Sequence, residues 1–151
     1  MHKFKSKNEV AELFPKKSRK NLRVPQILFE GFETKPFFSW IHPSGHMGYL
    51  LTESKGSLIG LIFDRTLVDT NIAKSCSWCR TTGRGRNVSL FSVQTAQKNK
   101  KYGMYLCSNL NCLENMRAQV NPDQPYETLS RKEKELRYEK NFKTFLKKLD
   151  T

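Results

Sequence analysis

A chain of 151 residues with 27 lysines and arginines against 14 aspartates and glutamates can build one domain with a core and carries a formal charge of +13. No apolar run reaches the length needed to span a membrane. Met1 to Lys7 lack the apolar stretch of a secretory leader, so the expected compartment is the reducing cytoplasm, where cysteines serve as thiols rather than disulfides.

Ser6-Lys7-Asn8-Glu9 reads as a capping box, followed by Val10, Leu13 and Phe14 at helical spacing, and Pro15 ends that helix. Lys16 to Lys20 is a basic run, either solvated or in contact with phosphates. Residues 1–24 are thus expected to form a short basic helical segment ahead of a single zinc-binding domain, 25–151. Pro25 to Pro36 reads as an irregular connection anchored by Ile27, Leu28, Phe29 and Phe32. A β meander is expected over 36–64, with strands at 37–42, 47–53 and 57–64 and turns at Pro43-Ser44-Gly45 and Lys55-Gly56. The third strand is apolar on both faces and is expected to be covered on both. His42 and His46 flank the first turn and are read as turn or surface residues.

All four cysteines follow, in two pairs: Cys76-Ser77-Trp78-Cys79 and Cys107-Ser108-Asn109-Leu110-Asn111-Cys112. A C-x2-C pair and a C-x4-C pair with no cysteine left over point to one structural zinc, which four thiolates bind tetrahedrally with no open position. Two disulfides would suit an oxidising compartment. A redox C-x-x-C would leave Cys107 and Cys112 unexplained. The histidines are not needed as ligands.

Residues 70–113 carry seven basic and no acidic residues. Lys74, Arg80, Arg84 and Arg86 can offset the negative charge of a zinc–thiolate group. They can equally form the footprint for an acidic partner, nucleic acid or protein, and composition does not separate those two. The loop Arg80 to Arg86 lacks the G-x-x-x-x-G-K-[ST] pattern, so it is not read as a nucleotide site. Asn87 to Gln94 alternates as a half-buried strand, Gln97 to Lys101 is a basic turn, and Tyr102 to Cys107 is the returning strand. Ser108 or Asn109 can cap a helix that carries Leu110, Leu113, Met116 and Val120, with Cys112 in its first turn, where a thiolate is favoured. A knuckle, a hairpin and a helix that brings the last ligands make a treble-clef finger over 74–120. Pro122 and Pro125 mark a linker. Ser130-Arg131-Lys132-Glu133 caps a C-terminal helix, 129–149, whose face Leu136, Phe142, Phe145, Leu146 and Leu149 is expected to pack on the core. The fold class is therefore α+β: an antiparallel β-sheet with a treble-clef zinc finger and a C-terminal helix.

Cys76-Ser77-Trp78-Cys79, the basic glycine-containing loop, Val88-Ser89-Leu90, Tyr102-Gly103 through Cys107, and Asn111-Cys112 together resemble the C-terminal treble-clef domain of the elongation factor G-binding proteins, the FusB-type family linked to fusidic acid resistance. The resemblance runs from about residue 20 to the C-terminus. It implies a non-enzymatic protein that binds elongation factor G and helps release it from a stalled ribosome, with zinc held by Cys76, Cys79, Cys107 and Cys112. Some members carry a histidine in the second pair, where this chain has cysteine. The family's contact residues are aromatic and basic groups around the finger, for which Trp78, Lys98, Lys101, Tyr102 and Tyr105 are the matching positions. The resistance proteins carry a helical bundle before the finger, which the short segment here does not match, so a factor-binding or ribosome-associated relative is the expectation.

The alternative is direct binding of ribosomal RNA through the basic patch, Trp78 or Tyr102 stacking on an unpaired base. An enzyme lacks its groups: no acidic residue lies between Asp69 and Glu114, and the histidines do not pair as ligands. Neither a membrane nor a small-molecule substrate is expected as a partner.

Overall fold

A computed structural model describes residues 1–66, 72–83, 87–97, 99–117 and 129–149. The elements in chain order are α1 (Lys7–Ala11), a 3-10 helix (Lys16–Asn21), α2 (Ile27–Glu30), β1 (Phe38–Ile41), β2 (Met47–Ser54), β3 (Ser57–Thr66), β4 (Lys74–Ser75), β5 (Thr82–Gly83), β6 (Val88–Gln94), β7 (Lys101–Cys107), α3 (Cys112–Arg117) and α4 (Arg131–Leu149). They gather into two compact units, Met1–Phe63 and Asp64–Thr151. The α+β class, the antiparallel pairing and the C-terminal helix are as expected.

In the first unit, Ser6 caps α1 by accepting from the Glu9 N–H at 3.4 Å. The Glu9 carboxylate accepts from the Lys5 N–H at 3.0 Å, one residue further back than in a standard capping box. Residues 1–24, expected as a separate segment, supply Val10, Phe14 and Leu22 to a core completed by Leu28, Phe32, Tyr49 and Leu51. A bridge between His2 and Phe32 adds two backbone hydrogen bonds, 2.8 and 2.9 Å, that tie the N-terminus to this core. The basic run folds as the 3-10 helix, and Arg19 donates to the carbonyl oxygens of Phe14 (3.1 Å) and Glu12 (3.4 Å), serving the end of α1. The stretch expected to be wholly irregular contains α2, one turn that buries Leu28.

β1 and β2 pair antiparallel, from Phe38↔Leu51 to Ile41↔Gly48. His42 is the turn residue expected: its ring contacts the Ser44 hydroxyl (2.9 Å) and the Asn21 carbonyl (3.0 Å). Between β2 and β3 the chain reverses through Lys55 (φ 53°) and Gly56 (φ 79°), both left-handed, as a tight hairpin turn requires. β3 departs from expectation: Leu58 to Ile62 are half-buried and Phe63 alone is fully buried. Its glycine has a packing reason. A Cβ at Gly60 would lie 2.7 Å from Phe14 Cε1 and 3.0 Å from the Leu13 carbonyl oxygen.

In the second unit, β6 and β7 form an antiparallel hairpin from Val88↔Cys107 to Gln94↔Lys101. Its turn is held from inside. The Gln94 side-chain amide donates to the carbonyls of Gln97 and Lys100, each at 2.9 Å, and Asn99 takes a left-handed φ of 66°. α4 opens on the expected capping box, with the Glu133 N–H donating to Ser130 Oγ (3.2 Å) and the Ser130 N–H to Glu133 Oε1 (3.4 Å). Its buried face is Tyr138, Phe142, Phe145 and Leu149, in steps of four, three and four. Leu136, expected on that face, is 57% exposed, and Tyr138 fills the first packed position instead. The helix ends against the hairpin turn, where the Ala96 N–H donates to the Leu149 carbonyl at 2.9 Å. Val120 and the linker around Pro122 and Pro125 lie outside the described residues. Among those described, no helix is long and apolar enough to cross a membrane.

Gly60→Val should destabilise the first unit by about 1–3 kcal/mol, because the added atoms meet the Phe14 ring and a backbone carbonyl that cannot both withdraw. Urea denaturation followed by Trp40 fluorescence reads this, and an unchanged midpoint would show that α1 and β3 do not pack as described.

Candidate metal centre

The first knuckle is built by the ends of the two-residue strands β4 and β5, paired as Lys74↔Gly83 and Ser75↔Thr82. The Cys76 N–H donates to the Thr81 carbonyl (2.9 Å) and the Arg80 N–H returns to the Cys76 carbonyl (3.0 Å), so Cys76 and Cys79 both point inward from one tight loop. The loop docks on β7 through the Ser77 N–H and the Tyr105 carbonyl, 2.8 Å apart. The second knuckle leaves the end of β7. The Leu110 N–H donates to the Cys107 carbonyl (2.9 Å), and Asn109 Oδ1 accepts from the Asn111 N–H (2.9 Å) and the Asn115 side chain (3.1 Å). Asn109 thereby holds the entry to α3, whose first residue is Cys112.

All four cysteines are buried free thiols, and their sulfur atoms lie within 4.8 Å of one another. Cys76 Sγ is 3.7 Å from Cys112 Sγ, and Cys79 Sγ is 3.5 Å from Cys107 Sγ. Four sulfurs held about 2.3 Å from a common tetrahedral centre stand about 3.8 Å apart, so the donor set has the size and chemistry of a zinc–tetrathiolate site. Burial opposes a charge on Cys76, yet hydrogen bonds with Cys107, Cys112 and Cys79 hold its thiol well below the usual range. Cys112 is pushed well up by its contacts with Cys107 and Cys76. Protons shared this unequally are the ones a divalent cation displaces when it binds. With four sulfur ligands, the ion would have no position for a substrate or a water.

The surrounding shell was only partly legible. Tyr138 of α4, absent from the sequence-based set, is buried, and its hydroxyl is pushed above the ordinary range by burial and by charge on Cys112 and Cys79. Arg65 lies near the second knuckle and donates from Nη1 to the Ser108 carbonyl at 3.0 Å. Lys74 stands over the Tyr105 ring, 5.1 Å from its centroid.

The expected contact residues separate. Trp78 is 1% exposed and packs against Phe142 and Phe145, at centroid distances of 5.0 and 5.1 Å. An exposed aromatic anchor at this position is therefore corrected to a core residue: the short knuckle turns its ring inward onto α4. Tyr102 and Tyr105, three residues apart on β7, fall on opposite faces of the strand. Tyr102 lies beside Phe145 and Lys148. Tyr105 and Lys101 share the other face, where Lys101 pairs with Asp64 at 3.1 Å. Arg80 is exposed, and Arg84, Arg86 and Lys98 lie outside the described residues. Ser77, Trp78, Arg80, Tyr102, Phe145 and Lys148 meet around a cleft of about 260 Å³ that the sequence did not reveal. Lys148 and Asn141 were missed because on α4 they read as ordinary solvent-facing residues.

Against known proteins, the family model described as the FBP C-terminal treble-clef zinc-finger matches residues 14–149. Among solved structures, that of the fusidic acid resistance protein FusC is similar at a TM-score of 0.50 and 19% identity, covering 76% of this chain and 56% of that protein. This chain thus spans little more than half the length of FusC, and at that identity the likeness speaks for the fold. A comparison with curated protein sequences gives no match. With the two cysteine pairs converging on one centre between a knuckle, a hairpin and a helix, and with the family model covering nearly the whole chain, the protein belongs to the FBP C-terminal treble-clef zinc-finger family of FusB type.

Proposed function

We propose that this protein is a non-enzymatic, zinc-containing binding protein of the cytoplasm that engages elongation factor G at or near the ribosome and aids its release. The observation that carries the reading is the closed four-cysteine centre in a finger of the FusB type. Four buried sulfurs leave a bound zinc no site for catalysis, so the ion's contribution is to hold a rigid surface. One zinc per chain satisfies the cluster. The FusB-type family is one of binding and resistance proteins, and its association with elongation factor G supports that factor as the partner.

The surface offered is the rim of the finger: Arg80, Tyr102 and Lys148 on one side of β7, Lys101 and Tyr105 on the other. Aromatic and arginine side chains dominate protein interfaces, and surrounding basic groups speed encounter with an acidic partner. Lys98, Arg84 and Arg86, outside the described residues, are proposed as further contacts on their charge alone. Trp78 supports it from beneath. The second reading, contact with ribosomal RNA, is favoured by the absence of acidic residues from 70–113.

Native mass spectrometry should find one zinc per chain, and Cys76→Ser should lose the metal together with the folded structure of the Asp64–Thr151 unit. A metal-free variant that melts like the wild type would remove zinc from the account. For the partner, zinc-loaded protein titrated with purified elongation factor G should form a one-to-one complex that persists at about 300 mM salt and in the presence of ribosomal RNA. Binding to RNA alone, falling steeply with salt, would transfer the function to the ribosome itself.

A further inference from the structure

We propose that the first unit meets the phosphodiester backbone of RNA through a fixed basic turn, using the exposed side chains of Lys16, Lys17, Lys20 and Arg23. This rests on the ribosomal-RNA reading above and assigns it a surface in the unit that carries no cysteine.

Residues 13–29 contain five basic and no acidic side chains. Left as a solvated spacer, such a run would repel itself into an extended chain and keep its charges apart. Here it folds. Lys16–Asn21 form the 3-10 helix, which rises about 2.0 Å per residue and sets side chains three apart above one another. Lys17 and Lys20 therefore share one edge, about 6 Å apart along the axis. The helix buries none of its own residues, while Phe14 before it and Leu22 after it are 2% and 1% exposed. Both ends of the turn are thus anchored in the core and its side chains are left outside.

The backbone on either side is pinned by side chains. Arg19 Nε donates to the Phe14 carbonyl at 3.1 Å. The His42 ring donates from Nε2 to the Asn21 carbonyl at 3.0 Å, and the Trp40 indole to the Arg23 carbonyl at 2.7 Å. Arg19 is thereby turned back onto the chain, whereas Lys16, Lys17, Lys20 and Arg23 are exposed. Among the described residues, no ion pair joins a carboxylate to any of these four. Holding like charges close costs free energy that an external polyanion offsets.

The make-up of the patch selects its occupant. Protein interfaces centre on aromatic and apolar anchors and are depleted in lysine. The large apolar residues at the ends of this turn, Phe14 and Leu22, face the core, so the patch offers charge without an anchor. A helix that lies on a bilayer needs an outward apolar face, and this one consists of lysine, serine, arginine and asparagine. Closely spaced ammonium groups match a chain of closely spaced phosphates. Lysine binds phosphate as a point charge, so these contacts position the RNA and do not read its sequence.

The test uses the zinc-loaded full chain and two RNA hairpins of unrelated sequence, with binding followed by fluorescence anisotropy across a salt series. Replacing Lys16→Gln, Lys17→Gln and Lys20→Gln together should make the slope of log affinity against log salt shallower by about 2–3, equally for both hairpins. At about 100 mM salt the variant should bind roughly tenfold more weakly or worse. Its urea midpoint should be no lower than that of the wild type, and it should bind elongation factor G as the wild type does. Lys132→Gln, Lys140→Gln and Lys143→Gln together, the same charge change on the exposed face of α4, should alter the slope by less than about 1. An equal effect of the two triple variants would show that total charge alone is read, and would overturn the proposal. So would an unchanged slope in the turn variant beside a wild type that binds RNA, which would leave the ribosomal-RNA reading standing. A wild type that binds neither hairpin below about 100 µM would overturn both together. If the turn variant keeps its RNA slope but loses elongation factor G, or loses vesicles of about 30% phosphatidylserine in phosphatidylcholine, the patch belongs to a protein or a membrane and the proposal fails.

Discussion

Four sulfur atoms crowded within 4.8 Å of one another, and shut away from water, are the constraint on which the second unit depends. Left as thiols or thiolates they repel or compete for protons. A divalent cation bound among them would cross-link that part of the chain. Everything converging there is short. β4 and β5 have two residues each and α3 has six, lengths at which neither strand nor helix is stable alone. The centre joins these pieces to the end of the β6–β7 hairpin, whose last residue is Cys107. The order of cause is therefore ligands first and local structure second.

The first unit is held differently. Met1–Phe63 contains no cysteine, and its core is aromatic: Phe14 meets Tyr49 and Trp40 edge-on, Trp40 stacks on Tyr49, and Phe32 lies between Phe4 and Phe38. The Trp40 indole N–H donates to the Arg23 carbonyl at 2.7 Å, fixing the strand pair to the segment before it. Such contacts bury much area per residue, which a unit of this size needs. Loss of metal should thus be felt first by the finger. The left-handed turn at Arg80 also sits in the second unit, on the loop that carries Cys76 and Cys79.

What could be read from the chain divides by the range of the interaction that produces it. The two cysteine pairs were legible because ligand spacing is set by the geometry of one ion. The capping boxes at Ser6 and Ser130 were legible because they close within four residues. The β6–β7 hairpin showed itself by alternation, and the α4 face by its period. The misses all turn on distant partners. Tyr138 rather than Leu136 begins the buried face because the cysteine cluster lies opposite it, and helical spacing alone admits either residue. Trp78 looks like an exposed tip until α4 supplies Phe142 and Phe145 to cover it, across more than sixty intervening positions. The His2 bridge to Phe32 is too short to leave a pattern.

The same dependence on distant partners changes the meaning of the charge. A total of +13, with no acidic residue from 70 to 113, suggests a uniformly basic face. Folding breaks that uniformity. Lys101 is drawn to Asp64, Lys74 lies over Tyr105, and Arg19 in the first unit is spent on the end of a helix. Two ion-pair or ring contacts of this exposed kind are worth little to stability, but they redirect where a partner meets positive charge. On the side of β7 that bears Tyr102, Lys148 stands over the Tyr102 ring, 5.5 Å from its centroid, and lines one cleft with Arg80. A flat basic patch recognises polyanions through their charge density. Cations broken up by ion pairs and ring contacts present no such continuous field.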